Sequence, residues 1–88
     1  MSTRLYAGNL PISATAELLA AKFAKFGIVV SVTLDRNAAT GASRRGAFVE
    51  MGNAADAARA VAGLNLASFD GRLMSVYRAL AAVPSGAK

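Results

Sequence analysis

Apolar and polar positions alternate in four short stretches of the chain and recur at helical spacing in two longer ones. The first alternating stretch is "RLYAGNL", residues 4–10, where Leu5 and Ala7 fall on one side and Arg4, Tyr6 and Gly8 on the other. It stops at "NLP", as a strand does at a proline. Thr15 then stands as a helix N-cap before "AELLAAKFAKF", in which Leu19, Phe23 and Phe26 share one stripe and Gly27 closes the helix. "IVVSVTL" is β-branched and short, a second strand. "DRNAATGAS" follows as a polar, turn-forming loop, the segment expected to move most. The third strand is "SRRGAFVEM": Ser43, Arg45, Ala47, Val49 and Met51 point one way, Arg44, Gly46, Phe48 and Glu50 the other. Gly46 thus stands in mid-strand where a side chain is the rule. In "GNAADAARAVAGLN", Ala57, Ala60, Val61 and Leu64 form the buried face of a second helix, with Asn53 as its cap. "LASFDG" reads as a turn, and "RLMSVYRA" alternates again, Met74 and Val76 against Leu73, Ser75 and Tyr77. Residues 1–80 therefore make one domain, and 81–88, ending "VPSGAK", a short flexible tail.

The order strand, helix, strand, strand, helix, strand has a topological consequence. Two β-α-β crossovers of one handedness place both helices on the same side of a four-stranded antiparallel sheet, an α+β, ferredoxin-like βαββαβ arrangement. The other side of the sheet is left bare. The alternation assigns to it Arg4, Tyr6, Thr33, Arg44, Gly46, Phe48, Glu50 and Tyr77, rings and charges that a buried face does not carry. An open sheet with exposed rings and nearby arginines suits single-stranded nucleic acid, because every base has a π-face and every nucleotide a phosphate.

Composition narrows the function further. Eighty-eight residues suffice for one modest core. No apolar run reaches membrane-spanning length, and "MSTRLYAGNL" has no apolar core of signal-peptide length, so no membrane association and a cytoplasmic location are expected. With no cysteine and no histidine, the chain has no disulfide framework, no thiolate metal site and none of the commonest general base. Glu17, Asp35, Glu50, Asp56 and Asp70 belong to different elements, without the spacing of paired catalytic carboxylates or metal ligands. "TGASRRG" lacks the phosphate-loop lysine and leads into a strand. No enzyme activity, metal or cofactor is expected. The net charge of +5 favours an anionic partner.

These residues resemble the RNA-recognition motif family. "LYAGNL" is similar to the family's six-residue first-strand motif, and "RRGAFVEM" to its eight-residue third-strand motif of the form K/R-G-F/Y-G/A-F-V-x-F/Y. The likeness continues through "LLAAKFAKFG", "AARAVAGLN" and "GRLMSV", covering roughly residues 4–79. A chain of this size with one such module resembles small single-domain bacterial RNA-binding proteins. The resemblance implies single-stranded RNA, and with the same chemistry single-stranded DNA, as partner. Tyr6 and Phe48 would each stack a base, Arg44 would pair with a phosphate, and Arg4, Arg45, Tyr77 and Arg78 would add contacts. Strand alternation points Arg45 toward the helix side, where it reaches out at the sheet edge. Three positions depart from the pattern: Gly46 replaces an aromatic residue, Arg45 a glycine, and Leu66 the glycine that usually follows "LN". Gly46 then reads as a gap in the ring platform, one that a phenylalanine would fill without disturbing the fold and with a gain in RNA affinity. Alternatively it gives clearance to a partner, in which case the fold serves protein interaction with weak or no RNA binding.

Overall fold

The computed structural model describes residues 3–36, 39–41 and 43–79, with the backbone alone for Ser43 and Arg44. Strand β1 (Arg4–Gly8) is followed by helix α1 (Ala16–Phe23), whose N-cap is Thr15: its side-chain oxygen accepts a hydrogen bond from the Leu18 N–H at 3.1 Å. A single 3₁₀ turn, Ala24–Phe26, tightens the end of the helix before Gly27. Strand β2 (Val29–Arg36) runs further than the β-branched stretch suggested. Asp35 and Arg36, expected in the loop, remain in the sheet because pairing with β3 (Ser43–Met51) continues to Asp35 opposite Gly46. Beyond that pair the register shifts, and two β3 residues, Arg44 and Arg45, bulge out before Ser43 meets Arg36. The loop expected to be most mobile lies partly outside the described residues, and the expected tail, 81–88, lies wholly outside them.

Helix α2 (Ala54–Leu64) starts at Asn53, whose side-chain oxygen accepts from the Asp56 N–H at 2.8 Å. The stretch expected as a simple turn, together with the first two residues of the expected last strand, is a small hairpin of β4 (Ser68–Phe69) and β5 (Arg72–Leu73). Its two turn residues, Asp70 (φ 53°) and Gly71 (φ 87°), both have the positive φ that a type I′ connection demands, and Asp-Gly is a favoured pair for it. Strand β6 (Ser75–Arg78) completes the sheet in the order β2-β3-β1-β6, every pair antiparallel.

One face of this sheet is sealed. Leu5, Ala7, Ala47, Val49, Met51 and Val76 are at most 1% exposed, packed in one cluster with Leu19 and Phe23 of α1 and Ala57 and Ala60 of α2. Burying a Leu, Val or Phe side chain contributes about 1.5–3 kcal/mol, and the small alanines of α2 let that helix approach the strands closely. Among the described residues, no helix is long and apolar enough to cross a membrane.

Candidate nucleic-acid interface

The opposite face is organised by the strand register. Thr33 pairs with Phe48, Phe48 with Tyr6, and Tyr6 with Tyr77, so the four residues form one row across β2, β3, β1 and β6. Directly paired side chains on one face lie close enough for rings to touch. The Tyr6 and Phe48 centroids are 5.0 Å apart with planes at 65°, an edge-to-face pair, and Tyr6 and Tyr77 are 5.5 Å apart at 40°. Tyr77 is 54% exposed, too open for a core role. The sequence placed Tyr77 among the secondary contacts; the register makes it the third ring of the row.

The neighbouring row is built of small residues. Asp35 faces Gly46, and Gly8 faces Ser75. The Tyr6 ring leans over into it, and its hydroxyl donates a hydrogen bond to Asp35 Oδ2 at 3.1 Å. A Cβ on Gly46 would run into the Tyr6 hydroxyl oxygen, with Cζ only 2.5 Å away and the Ala7 carbonyl oxygen at 3.2 Å. A Cβ on Gly8 would lie 3.3 Å from Tyr6 Cε2. Gly46 is consequently buried, and the gap expected in the platform does not exist: Tyr6 itself fills it. The same fact removes the clearance imagined for a partner. A phenylalanine at 46 does not enter an empty space, as expected, but has to displace the Tyr6 phenol, whose volume its first carbon claims.

The charges are distributed less simply than the rings. Arg4 lies on the ring face, where its Nε is 3.6 Å from Glu50 Oε1, its cross-strand neighbour. Thr3 also donates to the Glu50 carboxylate, so one carboxylate offsets part of the positive field there. Arg45 sits in the bulge with φ 58°, exposed, its carbonyl accepting from the Leu10 N–H at 2.9 Å. The left-handed backbone survives at this position although the family's usual glycine is gone. Leu66 does the same, with φ 66°. The expected phosphate contact of the Arg44 side chain lies outside the described residues. Arg78 pairs with Leu5, whose side chain is in the core, so strand alternation starts it from the helix side of the edge strand, apart from the ring row. Arg78 and Tyr77, expected as auxiliary contacts together, thus leave opposite faces of one strand. On the helices, Lys22 Nζ sits 4.6 Å from the Phe69 ring centroid, and Arg59 pairs with Asp56, in the next turn back on α2.

Asp35 is the residue of this face that the sequence did not reveal. Period-2 alternation carried two residues past Thr33 would have reached it, but the polar string "DRNAATGAS" looked like loop from its first letter.

Comparison with known proteins agrees with this geometry. The family model for the RNA recognition motif matches residues 5–75. The chain is 40% identical over 75 residues to "Putative RNA-binding protein RbpA" of Nostoc sp. (strain PCC 7120), an overlap of 85% of this chain and 74% of that one. It is 38% identical over 73 residues to the chloroplastic 33 kDa ribonucleoprotein of Nicotiana sylvestris, covering 83% of this chain and 22% of the relative. Among solved structures, RNA Binding Protein PG1 superposes with a TM-score of 0.84 at 36% identity, over 91% of this chain and 96% of the other. The Sxl-lethal protein/RNA complex does so with a TM-score of 0.78 at 34% identity, over 88% and 47%. The two motif strands lie paired at the centre of the sheet, the match extends through both helices, and the chain belongs to the RNA recognition motif family.

Proposed function

We propose that the chain binds single-stranded RNA on the open face of its sheet, without catalysis, and that Phe48, Tyr6 and Tyr77 each offer a ring to a base. The observation that carries this reading is the ring row itself: three aromatic side chains in cross-strand register on the face opposite α1 and α2. Stacking on such rings is worth roughly 1–3 kcal/mol per base and tolerates any sequence. Arg4, Arg44 and Arg45 supply charge for phosphates around the row, with Arg78 in a more distant position at the sheet edge. Single-stranded DNA also presents unpaired base faces and phosphates and is bound by the same means. The RNA-binding names of the relatives and the RNA-bound state of the Sxl-lethal neighbour support this assignment. Residues 1–80 as the binding module, 81–88 as a tail and a cytoplasmic setting belong to the same proposal.

Fluorescence anisotropy with labelled RNA of mixed sequence tests it. Short single strands should bind and the matching duplex should bind at least about tenfold more weakly, because paired bases offer no free π-face. Equal affinity for the two, or none for either, would reject the reading.

A further inference from the structure

Tyr6 is held in a place that two glycines leave free. Its ring lies over Gly8 and Gly46, close enough that a methyl group at 46 cannot coexist with the phenol, and its hydroxyl reaches across β3 to the Asp35 carboxylate on β2. Phe48 abuts it from one neighbouring strand and Tyr77 from the other. We propose that Gly8 and Gly46 are the seat of the Tyr6 ring and that Asp35 is a positioning residue which fixes the ring in that seat before RNA arrives. This inference rests on the RNA-binding reading of the sheet face and adds to it the device that sets the platform's central ring.

A free tyrosine must give up rotamer freedom when a base stacks on it. A ring already fixed by a hydrogen bond at its far end and by rings on both flanks has lost that freedom during folding. Asp35 is otherwise an unfavourable neighbour for RNA, a carboxylate on a face meant to receive phosphates. Its place beside the platform is accounted for by the hydrogen bond it accepts. Gly46 is explained by the same contact, since any side chain there displaces the phenol; the obstacle is the movable end of a side chain, so the ring gives way and the strand stays.

The proposal is tested by pairs of variants, with single-stranded RNA affinity as the readout and thermal unfolding to verify the fold. Gly46→Ala adds one methyl group and no ring, and should weaken binding roughly fivefold, within the range of one partly lost stack. The same substitution made in Tyr6→Ala should change affinity by less than about twofold, because Gly46 acts only through that ring. A Gly46→Ala protein that binds as well as the parent, or that loses the same factor in both backgrounds, overturns the proposal.

Asp35→Ala and Asp35→Asn both remove the negative charge, but only the amide still accepts from the phenol. The alanine variant should bind about threefold more weakly than the asparagine variant, and the difference should vanish in Tyr6→Phe. Equal binding by the two would also overturn it. In the RNA-free protein, nuclear Overhauser contacts between the Tyr6 ring protons and the Gly46 α-protons report the seat directly, and their absence would overturn it as well. Contacts present in a protein that binds no RNA would instead show that the RNA-binding reading had failed, and the role of Asp35 in binding with it.

Discussion

On β1, Leu5 and Ala7 are fully buried against the helices, whereas Tyr6 between them is half-buried on the open face, flanked by Phe48 and Tyr77. The same strands thus carry two surfaces governed by different requirements. The helix-covered face needs volume and apolarity, which many residue combinations supply. The open face needs particular groups at particular heights: rings in one row, glycines in the next, and a carboxylate where the phenol ends. Changes to the first should therefore be read in stability and changes to the second in binding.

The largest separation of the two should come from Leu5→Ala. Removing a fully buried leucine side chain should cost about 2–5 kcal/mol of stability, visible as a lower denaturant midpoint, while any folded fraction keeps its RNA affinity. Phe48→Ala inverts this pattern. It should leave the core intact and weaken single-stranded RNA binding by roughly 5–150-fold, the equivalent of about 1–3 kcal/mol for one stack. A Phe48 variant that unfolds, or that binds unchanged, would dissolve the distinction between the faces.

Smaller effects sharpen it. Leu66 holds a left-handed backbone with φ 66° while its side chain is 63% exposed, so Leu66→Gly relieves strain and gives up little packing. It should raise stability by about 1 kcal/mol in a denaturant titration, with RNA affinity unaltered. The smallest expected change is in binding by Lys22→Ala combined with Lys25→Ala. These cations sit on the helix side, Lys22 against the Phe69 ring, and their loss should shift affinity by less than about twofold at 0.15 M salt, where the Debye length is about 8 Å. A greater loss than that of Phe48→Ala would mean that the wrong face has been assigned.

Much of this was legible from alternation alone. Leu5, Ala7, Val49, Met51, Met74 and Val76 fell on the core side because a strand's period of two leaves no choice once one face is buried. Thr15 and Asn53 were legible as caps because an oxygen must meet the free N–H groups of a helix start. The content of Gly46 was not. A glycine records only that a side chain is absent, and what occupies the space depends on a tyrosine forty positions away leaning across a strand it merely neighbours. The face of Arg78 was not read from the sequence, because proximity to Tyr77 says nothing of it; the pairing with Leu5 decides it. The β4–β5 hairpin was missed because two-residue strands show no periodicity, although the Asp70-Gly71 pair carried its signal.

The claim that the open ring face is the binding surface is tested most directly by nuclear magnetic resonance, titrating the folded protein with a short single-stranded RNA of mixed sequence. Perturbations should concentrate on Tyr6, Phe48, Tyr77 and the Gly46 amide between them, and leave the amides on the outer surfaces of α1 and α2 in place. Perturbations centred on the helices, with the ring row unmoved at saturation, would contradict the account.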